Sequence, residues 1–368
     1  MREGNIFFIQ SPLQLLVAQQ IINQEKLTVN VMIFGYIHQN RHFLDIYDLV
    51  RIDDMWTDCV YMEKIAEWGL GSIRSLRRDC KLFKKNYELI ASLVAKYKIR
   101  SLFLGDMGNG IYHLIDYLFI GKGLDICFFE EGSGHYVQPN SLFNRNQTAK
   151  VFVAKWMYGL MYYKPFYGID NLYFKNASRF KLENLPMTKR YSIVPFYNED
   201  FDILIKPDMT LMSERLKNYL TSELCHEKPT SAVLLMTTVF DKEGYIDFYY
   251  QAIEHYLSSI DKDTDVYVKF HPRETEATRA GVLEIFKRHE IAYHLLGGKY
   301  NVPVEFYLQF FYFREICVFF TSTAFYNGYL FEETKFVYLI KTYYELCKRN
   351  NADGLDELEK MIDLIPAR

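Results

Sequence analysis

Proline and glycine are scarce in this sequence, 10 and 19 in 368 residues, which excludes collagen-like and low-complexity classes. Charge of one sign is lacking as well. A formal net charge of -3 argues against a nucleic-acid binder driven by bulk charge, and 49% hydrophobic residues argue against disorder. No run approaches the roughly 20 apolar residues needed to cross a bilayer. The six cysteines are scattered, with no CxxC and no ligand pairing with histidine, so they read as reduced cytosolic thiols rather than a disulfide framework. Cys127 and Cys317 sit in apolar runs and read as small core residues. There is no Walker P-loop, GxGxxG, HExxH or GxSxG. His38 and His42 share helical spacing but have no third ligand to complete a zinc site.

What is present is material for two domains. Ile6-Phe7-Phe8-Ile9 is broken by Gln10 and Pro12 and followed by Gln14, Gln19 and Gln20, which predicts a first strand running into a helix and not a signal peptide. Strands are expected at 5–10, 28–34, 101–104 and 124–129, with helices at 13–23, 88–97 and 111–119. A second alternating series has strands at 232–237, 265–270, 292–295, 316–320 and 336–340, and helices at 248–257, 275–289, 304–312 and 355–364. Such alternation predicts an α/β protein of two Rossmann-like domains facing a cleft, with parallel sheets wrapped by helices. The expected domains are 1–190 and 191–368, joined near Asn184-Leu185-Pro186 and Val194-Pro195. Residues 150–190 form a basic aromatic insertion in the first. There Lys150, Lys155 and Lys164 interleave with Trp156, Tyr158 and Phe166, and Arg74, Arg77, Lys81 and Lys85 recur at helical spacing earlier. Cations with interfacial aromatics suit an anionic membrane surface or lipid-linked acceptor; a solvated helix face over a core-facing aromatic stripe explains them equally well.

In doubly wound sheets ligands sit beyond the carboxyl ends of the strands, and three polar clusters fall there. Phe129-Glu130-Glu131-Gly132 runs paired carboxylates into a glycine turn. Neighbouring acids raise each other's proton affinity, so one can serve as a general base, and glycine lets a substrate approach the backbone. Lys269-Phe270-His271-Pro272-Arg273 ends a strand in a histidine restricted by proline and flanked by cations, a setting for phosphate. Thr321-Ser322-Thr323 leaves another strand as a helix cap, and a helix N-terminus also holds phosphate. Each pattern alone also has a structural explanation. Together they place an acid in the first half and a phosphate clamp in the second, the arrangement required of a nucleotide-sugar glycosyltransferase. Ser11 and Gln14 occupy the first strand-to-helix turn, where capping and cleft roles fit equally, and Asn109 lies in a second cleft-side loop. Asp261, Asp263 and Asp265 imitate a metal motif but precede their strand, and read as a solvated turn.

In motif order nearly the whole chain resembles the bacterial sialyltransferases of glycosyltransferase families 52 and 38, the latter polysialyltransferases. The resemblance is carried by Glu130-Glu131-Gly132, His271-Pro272 and Ser322-Thr323, together with the opening Ile9-Gln10-Ser11-Pro12-Leu13-Gln14. Glu-Glu stands where relatives often carry Asp-Asp or Glu-Asp. The resemblance implies a GT-B fold, a CMP-activated nonulosonic acid as donor and co-substrate, an inverting transfer to a cell-surface glycan or glycolipid such as lipooligosaccharide or capsule, and no metal or cofactor. Glu130 is then the expected base, with Glu131 orienting it or binding sugar, or the two roles exchanged. His271 is expected to stabilise the departing phosphate, with Ser322 and Thr323 donating to it. Gly132, Lys269, Pro272 and Arg273 complete the donor site, and Glu305 meets the nucleotide base or ribose. A homodimer follows by analogy. The expected location is cytoplasmic, at the inner face of the bacterial membrane. The rival readings are a CDP-glycerol-type or other nucleotide-dependent polymer transferase, and a non-catalytic membrane-associated glycan-binding protein.

Overall fold

Alternating apolar runs and helices build two separate parallel sheets in a computed structural model that describes residues 3–36, 43–63, 73–105, 124–129, 189–194, 203–208, 210–224, 232–239, 245–363 and 365. The chain divides into two units, 1–213 and 214–368.

In the first unit β1 (Glu3–Ile9) leads into α1 (Pro12–Glu25), then β2 (Asn30–Tyr36), α2 (Phe43–Val50), β3 (Asp58–Glu63), α3 (Ile73–Lys96), β4 (Lys98–Leu104), β5 (Asp125–Phe129), β6 (Lys189–Ser192) and β7 (Ile203–Leu204). Their order across the sheet is β3-β2-β1-β4-β5-β6-β7, and every pairing is parallel. β1 lies in the interior, so both of its faces are covered and Ile6, Phe7, Phe8 and Ile9 are all fully buried, each contributing roughly 1.5–3 kcal/mol of hydrophobic stabilisation. Phe7 stacks on Phe103 of β4 at 4.2 Å and meets Trp56 edge-on at 5.5 Å.

α1 begins as its sequence dictates. Ser11 caps it by accepting the Gln14 N–H at 3.2 Å, and Pro12 occupies the first turn, where its missing N–H costs nothing. The helix is buried along most of its length and carries glutamines inward. Gln19 accepts the Ile52 N–H at 2.8 Å, and Gln20 bonds Asp208 through both ends of its amide, at 2.7 and 3.1 Å. Gln24 likewise bonds Leu204 and Lys206, at 3.2 and 2.8 Å. Gln20 and Gln24 tie the helix to β7 and the chain that follows it, and Gln19 ties it to the residues after α2.

The second unit runs α4 (Glu214–Glu223), β8 (Val233–Met236), α5 (Ile246–Leu257), β9 (Val266–Lys269), α6 (Glu276–Arg288), β10 (Tyr293–Leu296), α7 (Val304–Phe310), β11 (Glu315–Val318), a short 3-10 helix (Ser322–Tyr326), β12 (Lys335–Tyr338), α8 (Leu339–Arg349) and α9 (Leu355–Asp363). Its order is β10-β9-β8-β11-β12, again wholly parallel. Val233, Leu235, Val268, Phe286 and Cys317 lie in its core with Tyr249 and Phe319.

Two Rossmann-like α/β units are therefore borne out. α2 and β3 were not expected, α3 begins well before the helix expected at 88–97, and three further details differ. The contact boundary falls at Ser213/Glu214 rather than at residue 190, because β6 and β7 extend the first sheet from β5. Residues 336–340 are not one strand: Leu339 and Ile340 turn their buried side chains into α8. Thr321 caps a 3-10 helix of five residues rather than a full helix, so the expected phosphate-holding helix N-terminus does not form. The helix expected at 111–119 lies outside the described residues.

Candidate functional site

The strand order reverses between β1 and β4 in the first sheet and between β8 and β11 in the second. Such reversals open a crevice at the carboxyl ends of the strands, because the following connections depart to opposite faces.

In the second unit three segments leave that edge: Thr237 after β8, Phe270-His271 after β9, and Thr321-Ser322-Thr323 after β11. His271 opens a turn that proline presets. Pro272 occupies the second position, and the His271 carbonyl accepts the Glu274 N–H at 3.1 Å. The His271 N–H is shared between Thr237 Oγ1 at 3.1 Å and Glu274 Oε2 at 2.8 Å. Glu274 is buried and also accepts the hydroxyls of Thr237 and Tyr249, the latter at 3.2 Å. Burial raises its pKa against these donors.

The same turn orients the imidazole. The Arg273 N–H donates to His271 Nδ1 at 3.2 Å, so Nδ1 must be unprotonated and the neutral ring carries its proton on Nε2. Burial lowers the His271 pKa below 6.5, and Arg273 and Lys269 reinforce that direction. At neutral pH the ring is therefore an uncharged Nε2–H donor in a positive field. Arg279 joins it, with Nη2 3.5 Å from the His271 carbonyl and the guanidinium 5.5 Å from the Phe270 ring centre.

Lys269 faces a different set of groups. It is 7% exposed, its Nζ donates to Asn301 Oδ1 at 2.7 Å, and it lies 5.5 Å from the Tyr307 ring centre. Burial lowers its pKa to about 8 despite attraction from Glu223 and Glu305. Glu223, the last residue of α4, accepts the consecutive backbone N–H groups of Gly297 and Gly298 at 2.9 and 3.1 Å, and the hydroxyls of Tyr219 and Tyr307. Glu305 is 5% exposed; burial raises its pKa, and it accepts the Thr323 hydroxyl at 2.9 Å. Thr323 Oγ1 in turn accepts from Thr321 at 2.9 Å. Lys269, Glu305 and Thr323 are thus brought into one buried network. The Thr323 proton is committed to Glu305 and not to an incoming phosphate. Ser322 is half-buried, while Pro272 and Arg273 are exposed.

In the first unit Ser11 and Gln14 stand at the β1–α1 turn, and Gln14 is fully buried against Gly105, which follows β4, and Phe129, which ends β5. Glu130, Glu131, Gly132 and Asn109 lie outside the described residues, as does all of 150–190 except Lys189 and Arg190. A cavity of about 340 Å³ occupies the opposite, amino-terminal edge of this sheet, lined by Glu25, Arg100, Asp125, Lys189 and Tyr191 among others. Its mixed charges include a Lys189–Glu25 pair at 3.6 Å. Asp261 and Asp263 are exposed ahead of β9, with Asp265 3.9 Å from His294.

Glu274, Thr237 and Glu223 escape the sequence reading. Thr237 was open to the same strand-end rule that finds His271. Glu274 follows directly on the His-Pro-Arg run. Glu223 carries no local signal, because its partners lie in a loop far along the chain.

Two consecutive doubly wound units, each with a strand reversal, have the make-up of the GT-B fold. Residues 5–340 match the model of the family described as Alpha-2,8-polysialyltransferase (POLYST), and the chain belongs to that family and so to the glycosyltransferases. No curated protein matches the chain. Solved structures similar to it include S. aureus MnaA in a co-structure with UDP, at 10% identity over 98% of this chain and 90% of that one, with a TM-score of 0.46. The UDP-GlcNAc 2-epimerase of Methanocaldococcus jannaschii is similar at 11% identity over 100% and 93%, with a TM-score of 0.43. A family 9 glycosyl transferase of Veillonella parvula is similar at 9% identity over 99% and 96%, also with a TM-score of 0.43. Among the described residues no helix is long and apolar enough to cross a membrane.

Proposed function

We propose that this chain transfers sialic acid, or a related nonulosonic acid, from a CMP-activated donor to a cell-surface glycan, inverting the anomeric centre and requiring no metal. Family membership supports the sugar class. The observation that carries the chemistry is the His271 imidazole, whose Nδ1 is occupied by a backbone N–H and whose Nε2 remains a donor beside the strand reversal.

The second unit binds the donor and the first the acceptor. The acceptor hydroxyl gives its proton to Glu130 or Glu131 and its oxygen bonds to the anomeric carbon. The bond from that carbon to the CMP phosphate breaks, and its electron pair leaves on the phosphate oxygen. His271 Nε2–H and the Ser322 hydroxyl donate to that oxygen while Lys269 and Arg273 hold the field positive. Donors fixed in advance at developing charge cost no reorganisation during the reaction. Thr323 and Glu305 act behind Ser322 by holding its turn. Lys and aromatic residues of 150–190 attract an anionic or lipid-linked acceptor such as lipooligosaccharide or capsule.

Thermal stabilisation by CMP, UMP, GDP and CDP tests the donor class. A selective CMP response is expected. Equal responses to CDP or UMP would remove CMP-sialic acid as the donor.

A further inference from the structure

The glutamines of α1 differ in one respect. Gln20 and Gln24 have both ends of their amides paired within the first unit. Gln14 is fully buried, and its Oε1 accepts the Gln10 N–H at 2.6 Å, but its Nε2 has no hydrogen-bond partner among the described residues. The amide cannot be turned over to resolve this, because only the oxygen can accept from a backbone N–H. A buried NH₂ without an acceptor is costly, and native interiors retain few such groups without a reason.

Its position supplies the reason. Gln14 stands in the turn that follows β1 and presses against Gly105, which follows β4. These are the two strands between which the order of the first sheet reverses. A Cβ on Gly105 would lie 2.6 Å from Gln14 Cδ and 2.8 Å from its Nε2, so glycine at 105 leaves room for the amide at the strand reversal. Phe129, at the end of β5, closes another side: its ring lies 2.8 Å from the same Cβ position. An unpaired donor with apolar and backbone walls, at the place where such a sheet receives its ligand, is suited to one kind of group, a hydrogen-bond-accepting oxygen.

We infer that Gln14 Nε2 is a specificity contact of the first unit, donating to an oxygen of the glycan acceptor. This rests on the proposed division of labour, in which the first unit receives the acceptor. The partner oxygen belongs either to a sugar hydroxyl or to the carboxylate of a terminal sialic acid, and the test separates them.

Gln14→Glu preserves the oxygen that holds the Gln10 N–H and replaces the free donor with an acceptor. Calorimetric titration of wild type and Gln14→Glu is made with a sialyl-terminated and a galactosyl-terminated oligosaccharide, each in the presence of CMP. Circular dichroism and the thermal midpoint establish that the variant is folded. Gln14→Met, which removes the donor and offers no acceptor, is titrated alongside, because a sugar hydroxyl can turn and donate to the carboxylate of Gln14→Glu. Loss of about tenfold in the affinity of Gln14→Met for both glycans, whatever Gln14→Glu recovers, indicates a hydroxyl partner. A loss confined to the sialyl glycan, or about tenfold greater for it, indicates the carboxylate, since two carboxylates then oppose each other. A folded Gln14→Met that binds both glycans as tightly as wild type overturns the inference, and so does a wild type that binds neither. Hydrolysis of CMP-sialic acid by the wild type, measured in parallel, judges the donor reading separately: its absence would sink that reading while the titration still decides the role of Gln14.

Discussion

The carboxyl edges of the two sheets are built on opposite plans. In the second unit the polar groups are bonded to one another before any ligand arrives. Glu274 holds the His271 backbone, Arg273 fixes its ring, Glu305 holds Thr323, and Asn301 holds Lys269. In the first unit the strand reversal places the Gln14 amide, with a free donor, between a glycine and an aromatic ring, and its neighbours Gln10 and Ser11 are likewise uncharged. Densely cross-bonded charge suits a fixed anionic group, because preorganised dipoles do not need to rearrange as charge grows on a phosphate. A neutral donor without cross-bonded charge around it suits an uncharged or singly accepting sugar, where selectivity comes from whether a hydrogen bond is made at all.

The comparison breaks most visibly at His271. His271→Ala should lower kcat by at least roughly 10²-fold, the scale of a lost proton-donating group. His271→Gln, whose side-chain NH₂ can stand near the Nε2 position, should keep more activity than His271→Asn. An alanine variant turning over at the wild-type rate would mean that the second edge is scaffold and not machinery.

Glu274 tests whether the bonds behind His271 matter. Glu274→Ala leaves the buried Thr237 and Tyr249 hydroxyls and shares of the His271 N–H without their acceptor. Urea denaturation should show a loss of about 1–3 kcal/mol. If the midpoint does not move, the carboxylate is not what holds the turn.

Lys269 sharpens the contrast more gently. Its folded pKa of about 8 lies below its usual value of 10.5, so between those values the unfolded chain binds the extra proton. Stability from this group therefore rises as pH climbs from about 8 to 10.5, by at most about 3 kcal/mol, and its burial is a burden below that window. The difference in unfolding free energy between wild type and Lys269→Met, followed across the same range, should carry that slope. A flat difference would place the amine in contact with water.

Much of this was legible in the residues. Fully apolar runs such as Ile6–Ile9 and Val266–Val268 announce strands covered on both faces, and strand-end placement picks out His271 and Gln14 without any coordinates. The losses have physical causes. β6 (Lys-Arg-Tyr-Ser) carries no apolar run, and β7 is only the two residues Ile203–Leu204 at the far edge of the sheet, so the first unit reads as ending too early. Leu339 and Ile340 continue the apolar character of β12, and nothing local distinguishes the last strand residue from the first helical one. Glu223 meets Gly297 and Gly298 only through the tertiary fold, which no spacing rule reaches.

The pairing of β5 with β6 bears on how the chain is made. Cys127 meets Lys189 across that ladder, so the native neighbour on the side of β5 away from β4 is synthesised some sixty residues after it. At about 5–20 residues per second the ribosome needs about 3 to 12 seconds to supply it. During that interval the flank of a very apolar ribbon, Asp125–Phe129, lacks its native partner and can recruit a stranger. A nascent chain stalled before Lys189 should be a strong chaperone client, and release of that client should coincide with the emergence of Ser192.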